Sequence, residues 1–469
     1  MSNPKSSKTR FGKAIGLFLI AAFLVTSGFG CSLQSAEQSA AIAPVTIKYW
    51  RVWDDQDAFD AIIKDYQAIH PNITIEYRKF KYEEYEAELL NALAEDRGPD
   101  IFSIPESWLP KYQSKLSPMP AQLKVGYVVE KNYFNLKTEK VVEIRTMKTP
   151  VLLELKNQYI DTVVSDAMID NQLYGLPLAV DTLVMFYNKD IINQAGITQI
   201  PTDWTAFQAA VAKATKFASE DQIIQSGTAL GTGFNVERAF DIISILMMQS
   251  GAQMANSRGL PTFFASSRID GKETNPGLSA LQFYADFASP VKNVYSWNNT
   301  MPNSLEAFLA GKVGFFFGYN YHIPQIRSRS RVNFGIAPIP QIAGLSTKNY
   351  ANYWLESVSK KSAHQNEAWD FVLFMNKPEE VKKYLAATNR PTAQKALISS
   401  QQDSEDLNAS VSELLTAATW YRGMDALAAE QVFKEMAEQF LLATDSRQIS
   451  NVMSVATQKI TQTITAGAQ

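Results

Sequence analysis

The sequence predicts an α/β fold built in two successive units. Three observations carry that expectation. The N-terminal part alternates β-branched and aromatic stretches with helical repeats. A second stretch of the same kind begins at Tyr174. Hydrophobic content of 46% and charged content of 19% over 469 residues describe an ordinary globular chain, long enough for two or three domains' worth of core.

The elements follow in order. Val45-Thr46-Ile47-Lys48-Tyr49-Trp50 is rich in β-branched and aromatic residues and reads as a strand. Asp57 to Ile69 carries Phe59, Ile62, Ile63 and Tyr66 at helical spacing. Pro71-Asn72 breaks it, and Ile73 to Phe80 alternates again as a strand. Glu83 to Glu95 repeats the helical stripe through Tyr85, Leu89, Leu90 and Leu93. Gly98-Pro99 ends that helix, and Asp100 to Ile104 is a short buried strand. Strand, helix, strand, helix, strand implies a parallel sheet with right-handed crossovers.

Lys124 to Lys156 breaks the pattern with seven basic and four acidic residues and strand-like character, and reads as an inserted surface hairpin. In the second unit Leu183 to Tyr187 is a strand. Trp204 to Phe217 is a helix with Thr202 or Asp203 at its N-cap. Phe240 to Met248 and Ala280 to Phe287 are apolar helices, and Val313 to Phe317 and Val332 to Ala337 are strands. From Ser410 onward a mostly helical tail carries a stripe through Leu427, Val432, Phe433, Met436, Phe440 and Leu441. No internal repeat is visible.

The first residues have another character. Lys5, Lys8, Arg10 and Lys13 precede an apolar run from Ala14 to Val25, then small residues and the single cysteine, Cys31. This is the layout of an export signal, with a run short for a membrane span. Ser32 to Pro44 is small, polar and alanine-rich, a flexible tether. Without residues 1–30 the chain keeps 40 basic and 47 acidic residues, a net charge of −7, which argues against a general nucleic-acid or anionic-membrane binder. No second cysteine exists for a disulfide. The scattered His70, His322 and His364 make no His/Cys zinc site. His70 and His364 read as surface or turn residues.

Several segments, in order, resemble the extracellular solute-binding proteins of ABC sugar importers. They are His70-Pro71-Asn72-Ile73; Gly98-Pro99-Asp100-Ile101-Phe102; Tyr174 to Asp181; Phe186 to Asp190 with Ala195-Gly196-Ile197; Pro201-Thr202-Asp203-Trp204; Ala307 to Gly314; and Ala368-Trp369-Asp370-Phe371. The likeness covers roughly residues 45 to 460 and is weakest at the 124–156 insertion and the far C-terminus. It implies a two-lobe, type II periplasmic-binding-protein-like fold with a hinge, closing on a carbohydrate and delivering it to permease transmembrane subunits. It also implies lobe 1 over 45–180, lobe 2 over 181–316, a return to lobe 1 over 317–372 and a return to lobe 2 over 373–469. Cys31 is similar in layout to a lipoprotein cysteine after a leader of residues 1–30, with Gly28 and Phe29 departing from the usual letters. A lipid-anchored monomer outside the cytoplasmic membrane, without metal or cofactor, is the corresponding expectation.

Open α/β sheets hold ligands beyond the carboxyl ends of their strands. The residues there are Trp53, Asp54 and Asp55 after the first strand, and Glu106 and Trp108 after the third. Asp181 lies at the first lobe crossing and Tyr319, Asn320 and Tyr321 at the second. Trp354 and Glu356 precede the third crossing, and Trp420 opens the tail. Flat C–H faces of sugars stack on Trp and Tyr, and hydroxyls pair with Asp, Glu and Asn. Each residue also has a plain reading: aromatics fill cores, and acids after strands cap helices. Trp204 and Trp369 fit helix packing best. Two other readings compete. Glu106 with Asp54 or Asp55 would form the acid and base of a glycosidase, and Tyr319, Tyr321 and His322 resemble the ligands of ferric-binding proteins.

Overall fold

In a computed structural model the described residues are 43–133, 137–219, 222–269 and 272–465. The leader, Cys31 and nearly all of the tether lie outside them.

The main elements run as follows: β1 (Val45–Arg51), α1 (Asp57–Ile69), β2 (Ile73–Lys79), α2 (Tyr82–Ala94), β3 (Ile101–Pro105), the hairpin β4 (Gln122–Tyr133) and β5 (Lys137–Lys148), β6 (Val180–Thr182), β7 (Val184–Asn188), α3 (Trp204–Ala214), β8 (Gln222–Thr228), α4 (Ala239–Gln249) and α5 (Pro276–Asp286). They continue with β9 (Val313–Gly318), β10 (Phe334–Pro338), β11 (Asn349–Ser359), α6 (Gln365–Met375), α7 (Pro378–Thr388), β12 (Ala417–Ala418), α8 (Ala426–Leu442) and α9 (Ser446–Thr465).

Two sheets organise two cores. The first has the order β12-β11-β3-β1-β2, with β1 parallel to β2 and β3 and β11 antiparallel to β3. In the second, β9 lies between β8 and β7, parallel to the former and antiparallel to the latter, and β10 pairs β7 at the edge. The first core joins residues from Val45 to Val180 with residues from Ala351 to Ala417. The second joins residues from Leu183 to Tyr350 with Ala409 and residues from Trp420 to Ile460. Apart from Ala409, which reaches the second core from within a stretch of the first, core membership among the described residues changes three times, between 180 and 183, between 350 and 351, and between 417 and 420.

The three changes are neighbours. β11 pairs antiparallel with β6 (Ala351 opposite Thr182, Tyr353 opposite Val180) and parallel with β12 (Asn349 opposite Ala417). All three crossings thus belong to one small ladder centred on Asn349 to Tyr353. The Asn349 side chain donates to the Leu183 carbonyl at 2.8 Å and to Glu413 Oε2 at 2.6 Å, which satisfies it at the junction. Burial pushes the Glu413 carboxyl up to about 7.

Most expected elements appear within a residue or two of their predicted ends, and Asp203 is the N-cap of α3, accepting from the Ala206 N–H at 2.8 Å. The differences are informative. The return to lobe 1 starts at Ala351 rather than 317, because β9 and β10 are interior and edge strands of the second sheet. The return to lobe 2 starts near Trp420 rather than 373, because Phe374, Val381, Tyr384 and Leu397 bury themselves in the first core. Helix α3 stops at Ala214, and Lys216–Ser219 is an exposed strand. The tail becomes regularly helical only at Ala426. Leu427, expected in the apolar stripe of α8, is 50% exposed.

The insertion is a long hairpin whose base is docked. Leu123 and Val125 are buried, and the Tyr127 hydroxyl donates to Asp370 Oδ1 at 3.2 Å. His70, expected at the surface, is fully buried there. Its Nδ1 stands 2.9 Å from the Gly126 carbonyl and its Nε2 3.1 Å from Asp370 Oδ2. The hairpin converts a turn residue into a core one. Among the described residues no helix is long and apolar enough to cross a membrane.

Candidate ligand-binding cleft

A cavity of about 510 Å³ lies between the two lobes, against the crossing ladder. That volume falls in the range of small-molecule sites.

Lobe 1 supplies aromatic rings from successive strand ends. Trp53 follows β1, Tyr82 follows β2, Trp108 follows β3 in a single 3₁₀ turn that starts at Glu106, and Trp354 stands in β11 opposite Pro105. All four line the cavity. Trp53 and Tyr82 are stacked at 5.5 Å and 19°, and Trp354 meets Trp53 at 6.1 Å and Trp108 at 6.3 Å. Trp53 keeps 48% of its surface exposed, an unusual cost for a tryptophan unless it faces a ligand. Beneath the rings Arg51 is buried, 3.3 Å from Glu356 Oε1 and 3.2 Å from Asp54 Oδ2, and Arg390 also reaches Asp54, at 2.9 Å. Burial alone would raise Asp54, but the two guanidiniums hold its carboxyl below the usual carboxylate range.

Lobe 2 offers charge. Arg238 sits just before α4 in a left-handed conformation, φ 58°, with Nη2 2.6 Å from Asp241 Oδ2. The Tyr319 hydroxyl donates to the same oxygen at 2.7 Å. Tyr321 stacks on Tyr319 at 5.5 Å and lines the cavity together with Glu237 and Glu430. Near the ladder are two buried acids. Burial, then the nearby Asp166, pushes Glu106 up to about 8, and burial pushes Asp181 up to about 7 although the Thr182 N–H donates to it at 3.0 Å. Burial takes His322 down to about 3, so its ring is neutral, and its Nδ1 accepts from the Tyr319 N–H at 3.0 Å.

Of the residues chosen from sequence, Trp53, Glu106, Trp108, Asp181, Tyr321 and Trp354 line the cavity. Five do not. Asp54 is turned beneath the floor onto Arg51 and Arg390, and Asp55 points outward to Lys79 at 2.9 Å. Tyr319 is consumed by Asp241. Asn320 faces the lobe interior, donating to the Asp406 carbonyl at 3.1 Å and accepting from Ser410 at 2.9 Å. Trp420 is core, its Nε1 donating to Ser244 Oγ at 2.9 Å. Glu356 is fully buried in the Arg51 network, and neither Asp54 nor Asp55 caps α1, whose N-cap, Gln56, makes no side-chain cap. Tyr319 and His322, offered for a metal, are tied to Asp241 and to backbone instead. Trp204 and Trp369 are buried in helix packing as expected.

The sequence reading missed Tyr82, Arg238, Tyr384, Arg390 and Glu430, all lining the cavity. Tyr82 was within reach of the strand-end argument, since it follows β2. Arg390, Arg238 and Glu430 lie beside or on helices, where nothing local distinguishes a cleft residue from a solvated one.

A cleft between two α/β lobes joined by three paired crossings defines a two-lobe receptor that holds a small solute. The chain belongs to the bacterial extracellular solute-binding protein family, whose pattern matches residues 61–409. It is 24% identical over 392 residues to the multiple sugar-binding protein of Streptococcus mutans, covering 82% of this chain and 83% of that one. It is 24% identical over 251 residues to the galactooligosaccharide-binding protein of Bacillus subtilis, covering 52% and 55%. Its fold is similar to that of the cyclic α-maltosyl-1,6-maltose binding protein from Arthrobacter globiformis, with TM-score 0.69 and 19% identity over 91% of this chain and all of that one.

Proposed function

We propose that this protein is the carbohydrate receptor of an ABC importer, capturing a mono- or oligosaccharide between its lobes and delivering it to the permease transmembrane subunits. The observation that carries the reading is the wall of four rings, Trp53, Tyr82, Trp108 and Trp354, facing hydrogen-bonding groups across a cavity of about 510 Å³. Sugars present apolar faces and polar edges, and this cleft offers a surface for each. Relatives named for sugar binding point the same way. Closure follows from a ligand that touches both lobes and so binds the closed form better. No bond is made or broken, and purified protein is expected to release no sugar from oligosaccharides. An N-terminal lipid on Cys31, with the Ser32–Pro44 tether, would hold a monomeric receptor near its permease and raise its local concentration there. Intact mass after membrane extraction tests that step.

The test of function is a thermal-shift screen of the purified protein over neutral mono- and oligosaccharides. A binder at a hundredfold excess over Kd adds about 2.7 kcal/mol of stability. A flat response across the saccharides, with a shift for ferric iron, would overturn the reading.

A further inference from the structure

The cleft's charge is unbalanced. Its three arginines are spent within the protein: Arg51 on Asp54 and Glu356, Arg390 on Asp54, and Arg238 on Asp241. Four acids that line the same cavity, Glu106, Asp181, Glu237 and Glu430, form no ion pair among the described residues. Glu106 matters most. It is only 8% exposed, it sits beside Trp108 at the end of β3, and beyond its own backbone N–H no side chain among the described residues hydrogen-bonds its carboxyl. A buried carboxyl facing a cleft with no side-chain partner is costly unless a ligand satisfies it. Cations also suit the opposite wall, since ammonium groups are attracted to the faces of Trp and Tyr.

We propose that the natural ligand is a saccharide carrying a basic nitrogen, an amino sugar, seated with its ammonium between the lobe 1 rings and the Glu106 carboxyl. The inference rests on the carbohydrate reading of the cleft. It makes uronic acids and sugar phosphates poorer ligands than amines, because none of the three lining arginines is left free to pair with an anion.

Proton linkage adds a second signature. Glu106 is surrounded by Asp166 and Arg422 behind it and by Asp241 across the cleft, and its own burial favours the proton. An ammonium in contact reverses that preference, so binding an amino sugar at pH 7 releases a proton, whereas a neutral sugar leaves the proton in place.

Calorimetry on the full chain, with neutral di- and trisaccharides of several linkages and the same sugars with an amine, an N-acetyl or a carboxylate substituent, decides the matter. The amine form is expected to bind about tenfold or more tighter than its neutral and N-acetylated counterparts, with proton release seen as a buffer-dependent heat. In Glu106→Gln the ratio of amine to neutral affinity is expected to fall to about threefold or less. Neutral sugars binding as tightly as the amines would overturn the amino-sugar inference and leave the receptor reading standing. Binding of no saccharide would overturn both. The comparison on the unaltered protein decides the case even where Glu106→Gln fails to fold.

Discussion

The two lobes meet the same cleft with different chemistry. Lobe 1 brings rings held by its sheet over a floor of buried ion pairs, while lobe 2 brings carboxylates and one self-paired arginine from the start of helix α4 and from helix α8, with Tyr321 from the turn after β9. A sheet holds its strands rigid and aligned, so lobe 1 can fix four large rings in one wall, three after strand ends and Trp354 within β11. Such a wall supplies attraction that depends little on which sugar is present. Lobe 2 meets the ligand with groups whose value depends on charge and hydrogen-bond geometry. The division suggests that lobe 1 sets affinity and lobe 2, with Glu106 at the boundary, sets selectivity.

The sharpest way to break that division is through the floors. Arg51→Ala leaves Glu356 and one side of Asp54 buried without a counter-charge, and is expected to cost about 3–5 kcal/mol in urea unfolding. Asp241→Asn in lobe 2 leaves a more exposed Arg238 and is expected to cost about 1–2 kcal/mol. Equal costs would mean that the lobe 1 floor is no stiffer than the lobe 2 wall.

Acidity separates the regions next. Glu106, Asp181 and Glu413 bind protons more tightly folded than unfolded, with folded values of about 8, 7 and 7. Their contribution is present below the ordinary carboxylate range and is lost as pH rises toward 8. Ligand-free stability is therefore expected to fall by several kcal/mol between pH 5 and 8. Asp54 works the other way. Its lowered carboxyl contributes above the ordinary range and is lost only as pH falls below about 4. Unfolding curves at pH 3, 5 and 8 check both signs, and a rise in stability from pH 5 to 8 would contradict the buried acids at the ladder.

Binding comes third. Trp354→Ala, which removes the ring touching both Trp53 and Trp108, is expected to weaken sugar binding by about 2–3 kcal/mol, roughly 30- to 150-fold. Tyr321→Ala on lobe 2 is expected to cost about 1 kcal/mol. The reverse order, read by calorimetry with one saccharide, would exchange the roles assigned to the lobes. The smallest effect is at Asp55. Its ion pair with Lys79 is exposed, so Asp55→Ala is expected to change stability by less than about 0.5 kcal/mol and to leave sugar affinity unaltered.

Much of lobe 1 was legible along the chain. The periodicities of α1 and α2 and the turns at Pro71 and Gly98 placed β1 to β3, and the residues after them included Trp53, Glu106 and Trp108. Lobe 2 was harder. Residues 319 to 321 share one turn, yet only Tyr321 lines the cavity, because Asp241 draws the Tyr319 hydroxyl inward and Ser410 and Asp406 draw Asn320. The same competition took Asp54 from the cleft and gave it to Arg51 and Arg390. Proximity to a strand end is local information, but a side chain's direction is set by partners up to 336 positions away in sequence, as between Asp54 and Arg390.

The sequence by itself determined the α/β class, the order of most elements, the family and the neighbourhood of the cleft, since each depends on periodicity, turn residues and short motifs. Only the tertiary structure decided where the chain changes lobes, which rings line the cleft and which acids there form no ion pair. Those outcomes depend on pairing across the Asn349–Tyr353 ladder and on competition for buried partners, and both are properties of residues brought together from far along the chain.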